Sequence, residues 1–555
     1  MFDDDEVVTH NAERADEFIA YAMQADLRQK LIELAGRHRP GGGGAVRKLH
    51  RAVRGSYNIN WRVEFEDGGS VMFHVPLPGS VAFPEEKVRA EVATMRLVRA
   101  RTSIPVPEVY HWGAAADNPA GTGPFIIMEY VEHESCLADM IRDMTDDTDS
   151  HGLARDMPEG RLLKAYRHMA NIVLQLSAIE GDAIGYPTLL VDEEGNNGSP
   201  SPSPSSSPSW RVTTRPVSHN MNELVASGGL PPGLLPAGDR TFKAEKDWTS
   251  ALADMHLAHL AFQRNDAVLG PPDARDKYVA RQLFRRLAAS GRLTGDENRS
   301  GAGGAGRDGE EVSEEEDEQR EERFKLWCDD MRPASVLLDG DENVVGVIDW
   351  EMSYFAPASY AYDPPWWLCL AKPEYWRPGL GDFFVGFERY LGVFLRAMEM
   401  EEEEVALRER ARAAGCSALD RLCVGAADLR LDDTGVPARR SSPPLSVRMR
   451  RSWEGGRFFV NYAARKAWAF DPIYWKYIDP KYFGENVEGG YEGRLKLLSE
   501  REKEQMELFV ERKVEESKEV KLVEWDPEDA RVLLQACLEG DLGQGAIPEP
   551  REIRW

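Results

Sequence analysis

Residues 326–351, LWCDDMRPASVLLDGDENVVGVIDWE, constrain what this chain can fold into more tightly than any other stretch. Two apolar runs, Val336–Leu338 and Val344–Ile348, flank Asp339-Gly340-Asp341-Glu342-Asn343, turn chemistry that joins antiparallel strands. Asp330 precedes the first run and Asp349 closes the second. With the turn centred near Asp341, Ser335 faces roughly Val347, so the start of one strand lies beside the end of the other. Asp330, Ser335 and Asp349 can then converge on one point. Oxygen groups gathered in this way suit a hard divalent cation, and a carboxylate beside them can take the proton of a hydroxyl that attacks a phosphoryl group. Taken alone, Asp339–Asn343 also reads as an ordinary acidic surface turn.

The stretch resembles the catalytic segment of aminoglycoside-phosphotransferase-like and choline-kinase-like enzymes. In them an Asp, four residues and an Asn precede a strand that ends in Ile-Asp-Trp or a relative. Cys328–Ser335 supplies the first half here, and Ile348-Asp349-Trp350-Glu351 the second. The resemblance implies an α+β, protein-kinase-like two-lobed fold, with a small antiparallel-sheet N-lobe and a mostly helical C-lobe. It further implies ATP and Mg2+ as cofactors, Asp330 as catalytic base, Asp349 as magnesium ligand, and Arg332 as a neutraliser of charge on the phosphoryl oxygens. Ser335 stands at the second metal position, where the family has Asn; a hydroxyl is shorter than an amide and a weaker ligand.

Earlier in the chain, residues 11–38 carry helical spacing through Phe18, Ala22, Leu27, Leu31 and Leu34, and Gly41–Gly44 ends the segment. Strand-like runs follow at Val46–Arg54, Ile59–Phe65 and Ser70–Val75. A helix is expected at Glu85–Ala100, then a strand at Phe125–Tyr130. On that helix Val88, Val92 and Met95 form an apolar stripe, and Glu91 lies on its side, where a carboxylate needs a partner. By resemblance Gly55 and Ser56 belong to a phosphate-covering loop, although taken alone the motif reads as an ordinary hairpin turn. The resemblance also makes His74 the basic position for the nucleotide phosphates, usually Lys or Arg, and Glu91 its carboxylate partner. The Glu129–Val131 backbone becomes the adenine-binding hinge edge.

The expected domains are an N-terminal helix and N-lobe over 1–130 and a helical C-lobe over 131–555. Within the latter, helices are expected at Glu159–Ser177, Lys246–Gln263, Asp276–Ala289 and Gly381–Met398. Inserts near 194–210, 294–322 and 430–451 are too poor in apolar groups, or too rich in Gly, Ser, Pro and charge, to offset their ordering entropy. The region from Tyr474 onward has the look of a C-terminal extension found in the fungal branch of these proteins.

A formal charge of −27 over 555 residues argues against a nucleic-acid partner. Part of that charge sits in runs such as Glu310–Glu322 and Glu399–Glu404, which read as solvated inserts or helix faces. Six scattered cysteines give neither a zinc pattern nor a disulfide framework. An acidic N-terminus and no run near the ~18 apolar residues of a membrane span lead to the expectation of a soluble, cytoplasmic protein without a membrane partner. His256 and His259 share a helix side with Leu252, Met255 and Phe262, which favours packing over metal binding. Trp366-Trp367 could wall a cationic or sugar-like acceptor or simply fill the core.

The leading functional reading is ATP-dependent transfer of the γ-phosphoryl group to the hydroxyl of a small molecule. The alternative is a pseudokinase scaffold that binds nucleotide weakly or not at all, motivated by His74 and Ser335. Transfer to a protein hydroxyl finds little support, since no Ala-Pro-Glu pattern follows Asp349.

Overall fold

A computed structural model describes residues 3–142, 153–154, 157–190, 209–294, 324–376, 379–413, 443–543 and 547–553. The fold grows from a period-two pattern. In β3 (Asn58–Phe65), Ile59, Trp61, Val63 and Phe65 all face one buried side, as alternating side chains of a strand must. Val71, Phe73 and Val75 of β4 (Ser70–Pro76) and Phe125 and Ile127 of β6 (Phe125–Glu129) join them. With β1 (Val46–Leu49), β2 (Val53–Arg54) and β5 (Val109–Gly113) these strands form one antiparallel sheet, ordered β1-β3-β4-β6-β5, with β2 also on β3.

Two helices cover the face that carries Trp61, α1 (Asp5–Ala22) and α2 (Ala25–His38), while α3 (Pro84–Arg101) packs Val88 and Val92 on Ile126 of the other. The single helix expected over 11–38 is thus two. The backbone turns at Met23-Gln24 because α2 must swing round to lay Leu27, Leu31 and Leu34 on the sheet. The expected strand Val46–Arg54 is likewise split, and both pieces pair with β3.

The remainder is mostly helical: α4 (Glu159–Ser177), α5 (His219–Ala226), α6 (Glu245–Phe262), α7 (Pro271–Ala289) and a long helix Leu380–Ala413. That last helix runs well past the expected Met398. Its acidic stretch is anchored, because Arg167 of α4 meets Glu401 at 2.7 Å and Glu404 at 2.9 Å. Short strand pairs punctuate the helices: β7 (Ser135–Cys136), β11 (Val336–Leu338) and β12 (Val344–Val347) in the order β12-β11-β7, β10 (Phe324–Cys328) with β13 (Ser353–Pro357), and β8 (Tyr186–Leu190) with β9 (Ser209–Thr214). This is the two-lobed, kinase-like α+β architecture.

Of the expected inserts, 194–208, 295–322 and 430–442 lie outside the described residues. The third ends earlier than expected, because Leu445–Glu454 is a helix that buries Leu445 and Met449, and Ser209-Trp210 opens β9. The C-terminal region folds back on the large lobe, with Phe509 against Tyr278 of α7 and Trp525 against Phe262 of α6. Among the described residues no helix is long and apolar enough to cross a membrane.

Helix α1 ties the lobes together. At its start Asp4 caps Val7 N–H and accepts from the backbone and side-chain nitrogens of Asn265 in the large lobe, while near its end Tyr21 donates to Ala120 O in the small one. Between these anchors Gly79 lies against the helix backbone. Its φ is +84°, and a Cβ there would stand 2.2 Å from Asn11 O. Gly79→Ala is therefore expected to lose about 2 kcal/mol or more of stability and to loosen α1, read by urea unfolding and by proteolysis of the N-terminal segment.

Candidate active site

The hairpin of β11 and β12 sets Val336 opposite Val347, and Ile348 N–H donates to Ser335 O at 2.9 Å. The register is within one residue of the expected one. At Asp349 the backbone turns left-handed, φ +60°, a conformation that Asp tolerates better than bulky residues. The Asp349 carboxylate returns to the hairpin, where Ser335 Oγ donates to it at 3.3 Å. Burial raises the pKa of Asp349, and the carboxylates of Glu351, Asp330 and Glu91 raise it further, to about 7, against a small opposing effect of His74. Asp349 keeps partial contact with solvent. It is a half-buried acid crowded by other acids.

Asp330 is buried, and Arg332 Nε lies 4.0 Å from its carboxylate. The neighbouring Asp329 serves the fold instead. It accepts from Trp327 Nε1 at 2.8 Å and from His219 N–H at 3.1 Å, with Arg465 3.7 Å away. Of two adjacent acids, one is wired into the large lobe and the other has only the Arg332 guanidinium, at 4.0 Å, as an ion-pair partner among the described residues.

The expected partnership of His74 and Glu91 is present at 3.4 Å, and it contains a residue that the sequence reading missed. The sheet pairs His74 with Asn60 and Ile126, on the face toward α3, and His74 Nδ1 lies 2.8 Å from Asn60 Oδ1. One helical turn before Glu91 stands Lys87, completely buried. Its ammonium meets Asn58 Oδ1 at 2.7 Å, Glu91 Oε2 at 3.0 Å and Glu351 Oε2 at 2.6 Å. Three donors have three acceptors. Burial pulls the Lys87 pKa down, but Glu351 and Glu91 together push it above the ordinary lysine value. Burial acts upward on Glu91, and the charges of Lys87 and His74 overcome it and hold the acid at about 2. Asn58 Nδ2 completes the group by donating to Glu351 at 2.9 Å. The signal available in the sequence was Lys87 at i−4 from a glutamate already judged to need a partner.

The loop at Gly55 and Ser56 is a tight exposed turn in which Gly55 N–H donates to Asn58 O at 2.8 Å, so that N–H is taken by the hairpin rather than offered to a ligand. The next residue turns inward. Tyr57 Oη lies 2.9 Å from His219 Nε2 on α5, across the cleft. Burial, then the charges of Glu223, Asp330 and Glu351, raise the Tyr57 pKa well above that of a free phenol. At the expected hinge, Glu129 N–H donates to Glu108 O at 2.8 Å, and Val131 O lies 2.9 Å from the His133 ring. The edge is therefore narrower than expected, because β5 claims part of it.

Among the described residues no three of His, Cys, Asp and Glu are grouped so as to hold a metal ion. Asp349 and Ser335 form a two-oxygen donor set. Magnesium retains waters and binds through one or two carboxylates together with substrate phosphates, so this set suits it. His256 and His259 are core residues, as expected: His256 Nε2 lies 3.1 Å from Ala464 O, and His259 packs on Trp468 at 4.9 Å. Trp366 and Trp367 are buried as well, with Trp367 edge-on to Tyr166 and Phe394, so they do not wall an acceptor.

No family model matches the chain. It is 36% identical over 89 residues to the altered inheritance of mitochondria protein 9 of Yarrowia lipolytica, a span of 15% of either chain. To a subtelomeric hrmA-associated cluster protein of Aspergillus fumigatus it is 34% identical over 100 residues, 18% of this chain and 19% of that one. The similarity thus spans less than a fifth of these relatives' length. Among solved structures it is similar to an aminoglycoside phosphotransferase in ternary complex with AMP-PNP and hygromycin B (15% identity, 78% of this chain and 94% of that one, TM-score 0.32). It is also similar to a type I macrolide 2'-phosphotransferase (13%, 86% and 98%, TM-score 0.31) and to an ethanolamine kinase of Plasmodium vivax (9%, 89% and 82%, TM-score 0.31). The fold assignment rests on the chain's own topology.

Two outcomes follow from the charge arrangement. Removing Lys87 leaves Glu351 with only the Asn58 amide and Glu91 with only His74 at 3.4 Å, so Lys87→Met is expected to lose about 3–5 kcal/mol in urea unfolding. Asp349 behaves in the opposite sense. Its folded pKa of about 7 stands above the ordinary 3.8, so the folded state pays for charging it as pH rises between those values. Asp349→Asn should match the wild type in thermal stability near pH 4, gain on it through pH 7, and hold an advantage on the order of 2 kcal/mol at pH 8.

Proposed function

We propose that the chain is an ATP-dependent phosphotransferase that moves the γ-phosphoryl group to a hydroxyl of a small molecule. One observation carries this reading: the hairpin brings the Ser335 hydroxyl to within 3.3 Å of the Asp349 carboxylate, where burial and the nearby carboxylates of Glu351, Asp330 and Glu91 oppose ionisation, as expected of an acid meant to face a cation.

Asp349 and Ser335 would hold Mg2+, which supplies charge neutralisation at the nucleotide phosphates. Asp330 orients the acceptor hydroxyl and takes its proton as the oxygen attacks. Arg332, beside Asp330, faces the charge that develops on the transferred group. His74 and Glu91 lie at the phosphate side, with Lys87 fixing Glu91. Tyr57 and the Gly55-Ser56 turn exclude water, and the remaining hinge backbone between Glu129 and Val131 faces the base. Positioning and electrostatics supply nearly all of the acceleration in phosphoryl transfer, so a Ser in place of Asn attenuates the chemistry without removing its basis.

His74 and Ser335 favour a second reading, a nucleotide-binding scaffold. His74 Nε2 has no hydrogen bond, only the 3.4 Å approach to Glu91, and the Ser335 hydroxyl is already engaged by Asp349. One experiment separates the two: ADP release with ATP and Mg2+ across amino sugars, choline-like amines, hydroxy acids and sugar phosphates. Asp330→Ala is expected to remove turnover while ATP·Mg still raises the melting temperature. Asp349→Ala is expected to lose the magnesium-dependent part of that shift. Full turnover in Asp330→Ala overturns the phosphotransferase mechanism, and stabilisation by ATP·Mg without turnover of any acceptor establishes the scaffold.

A further inference from the structure

On the far side of Tyr57 from the acid group lies a second cluster, centred on His219 of α5, to which the proposed mechanism gives no role. His219 is buried, and both ring nitrogens are crowded. Nδ1 has Glu223 Oε2 at 3.0 Å and Lys466 Nζ at 3.1 Å; Nε2 has the Tyr57 hydroxyl at 2.9 Å and Lys372 Nζ at 3.5 Å.

These contacts cannot all be satisfied together. If Nδ1 carries a proton it serves Glu223 and turns an N–H toward the Lys466 ammonium; if Nδ1 is bare it accepts from Lys466 and leaves Glu223 without its donor. Lys466 is 3% exposed, and among the described residues the imidazole is its one hydrogen-bonding contact. Lys372 comes no nearer to a carboxylate than 3.7 Å, at Glu223 Oε1. Other acids nearby are committed or distant. Asp329 is held by Trp327, His219 N–H and Arg465, and Glu374 accepts from the Tyr462 hydroxyl at 2.7 Å. Asp3 reaches Lys372 and Glu223 only through their field. Burial and the neighbouring Lys372 lower the Lys466 pKa. A buried ammonium with so poor a counter-charge is costly, and it is relieved by one more anionic oxygen within its reach.

The cluster adjoins the proposed catalytic acid. His219 N–H bonds Asp329, next in sequence to Asp330, and the Tyr57 phenol lies in the field of both Glu223 and Asp330. We infer that Lys372 and Lys466 bind an anionic group, a carboxylate or a phosphate monoester, carried by the hydroxyl acceptor. This rests on the reading of Asp330 as the base that faces the acceptor. Trp366 and Trp367, which could wall a cationic or sugar-like acceptor or simply fill the core, are in the core.

The test has two arms, both on the full chain. In the first, without nucleotide, inorganic phosphate, glycerate, glycerol phosphate, glycerol and choline are titrated and the melting temperature followed. The anions should stabilise the wild type, and glycerol and choline should not. Lys372→Met and Lys466→Met should each weaken the anion response roughly tenfold to a hundredfold. Lys466→Met alone should melt higher than the wild type in the absence of anion, which shows that the loss is not misfolding. An equal anion response in the double variant, or stabilisation by choline instead, overturns the inference. The second arm measures ADP release with ATP and Mg2+. Faster release with glycerate or glycerol phosphate, lost in both lysine variants, supports it and shows which anionic group is accepted. Release driven by choline or an amino sugar but not by the anions overturns it and leaves the phosphotransferase reading intact. Lysine-dependent anion binding with no ADP release from any acceptor overturns that reading and leaves the anion site.

Discussion

The buried ammonium of Lys87 is the point on which the arrangement of the cleft depends. It is the only cation seen to touch an acid of the small lobe, Glu91, and an acid of the large lobe, Glu351, at once among the described residues. Glu351 lies two residues beyond Asp349, so the same contact fixes Asp349 relative to α3 and the sheet behind it. Replacing a buried ionic group by well-packed apolar residues is often neutral or stabilising. What such a group offers instead is position: charges that must be met pin two segments to one geometry, where apolar side chains would allow them to slide.

Around that anchor the charges divide into two fields, separated by Tyr57. On one side Asp349, Asp330, Glu351 and Glu91 outnumber Lys87 and His74, and the surplus appears as an Asp349 that resists ionisation. On the other, Lys372 and Lys466 share one carboxylate, Glu223, which they and His219 hold well below the usual glutamate range despite its burial. A metal-bound polyphosphate and an anionic acceptor have the complementary charges, in the order in which phosphoryl transfer needs them. Tyr57, carried on the small-lobe turn and bonded to His219 of the large lobe, is a further contact between the lobes.

How much of this could be read from the sequence depends on how local the determining contacts are. The hairpin of β11 and β12 was legible because turn chemistry and two apolar runs fix its register within 26 residues. Glu91 was legible because an acid on an apolar stripe demands a partner. Lys87, four residues earlier, shows in the sequence only as an i−4 neighbour of Glu91, because its other partners, Asn58 and Glu351, lie outside the helix. The split of the N-terminal helix and the extension of Leu380–Ala413 through an acidic run were not legible, since both are settled by what packs against them, the sheet in one case and Arg167 in the other. The loss of the Glu129 N–H to Glu108 needs the pairing of β5, and the contact of Tyr57 with His219 joins residues 162 apart with no shared pattern.

The two uncompensated centres also bear on whether the chain is an enzyme or a scaffold. A scaffold needs a stable surface, and both Asp349 and Lys466 lower the stability of the ligand-free fold, the one by charging among acids, the other by sitting as an ammonium in a nearly closed site. Ser335 and His74 weaken the case for fast catalysis, yet neither relieves this cost: the Ser335 hydroxyl donates to Asp349 without neutralising it, and His74 opposes the surrounding acids only slightly. Residues that destabilise the free protein make physical sense where a ligand completes them. Asp349 calls for a cation and Lys466 for an anion, and the proposed phosphotransfer, with a metal-bound nucleotide and an anionic acceptor, is the reading that uses both.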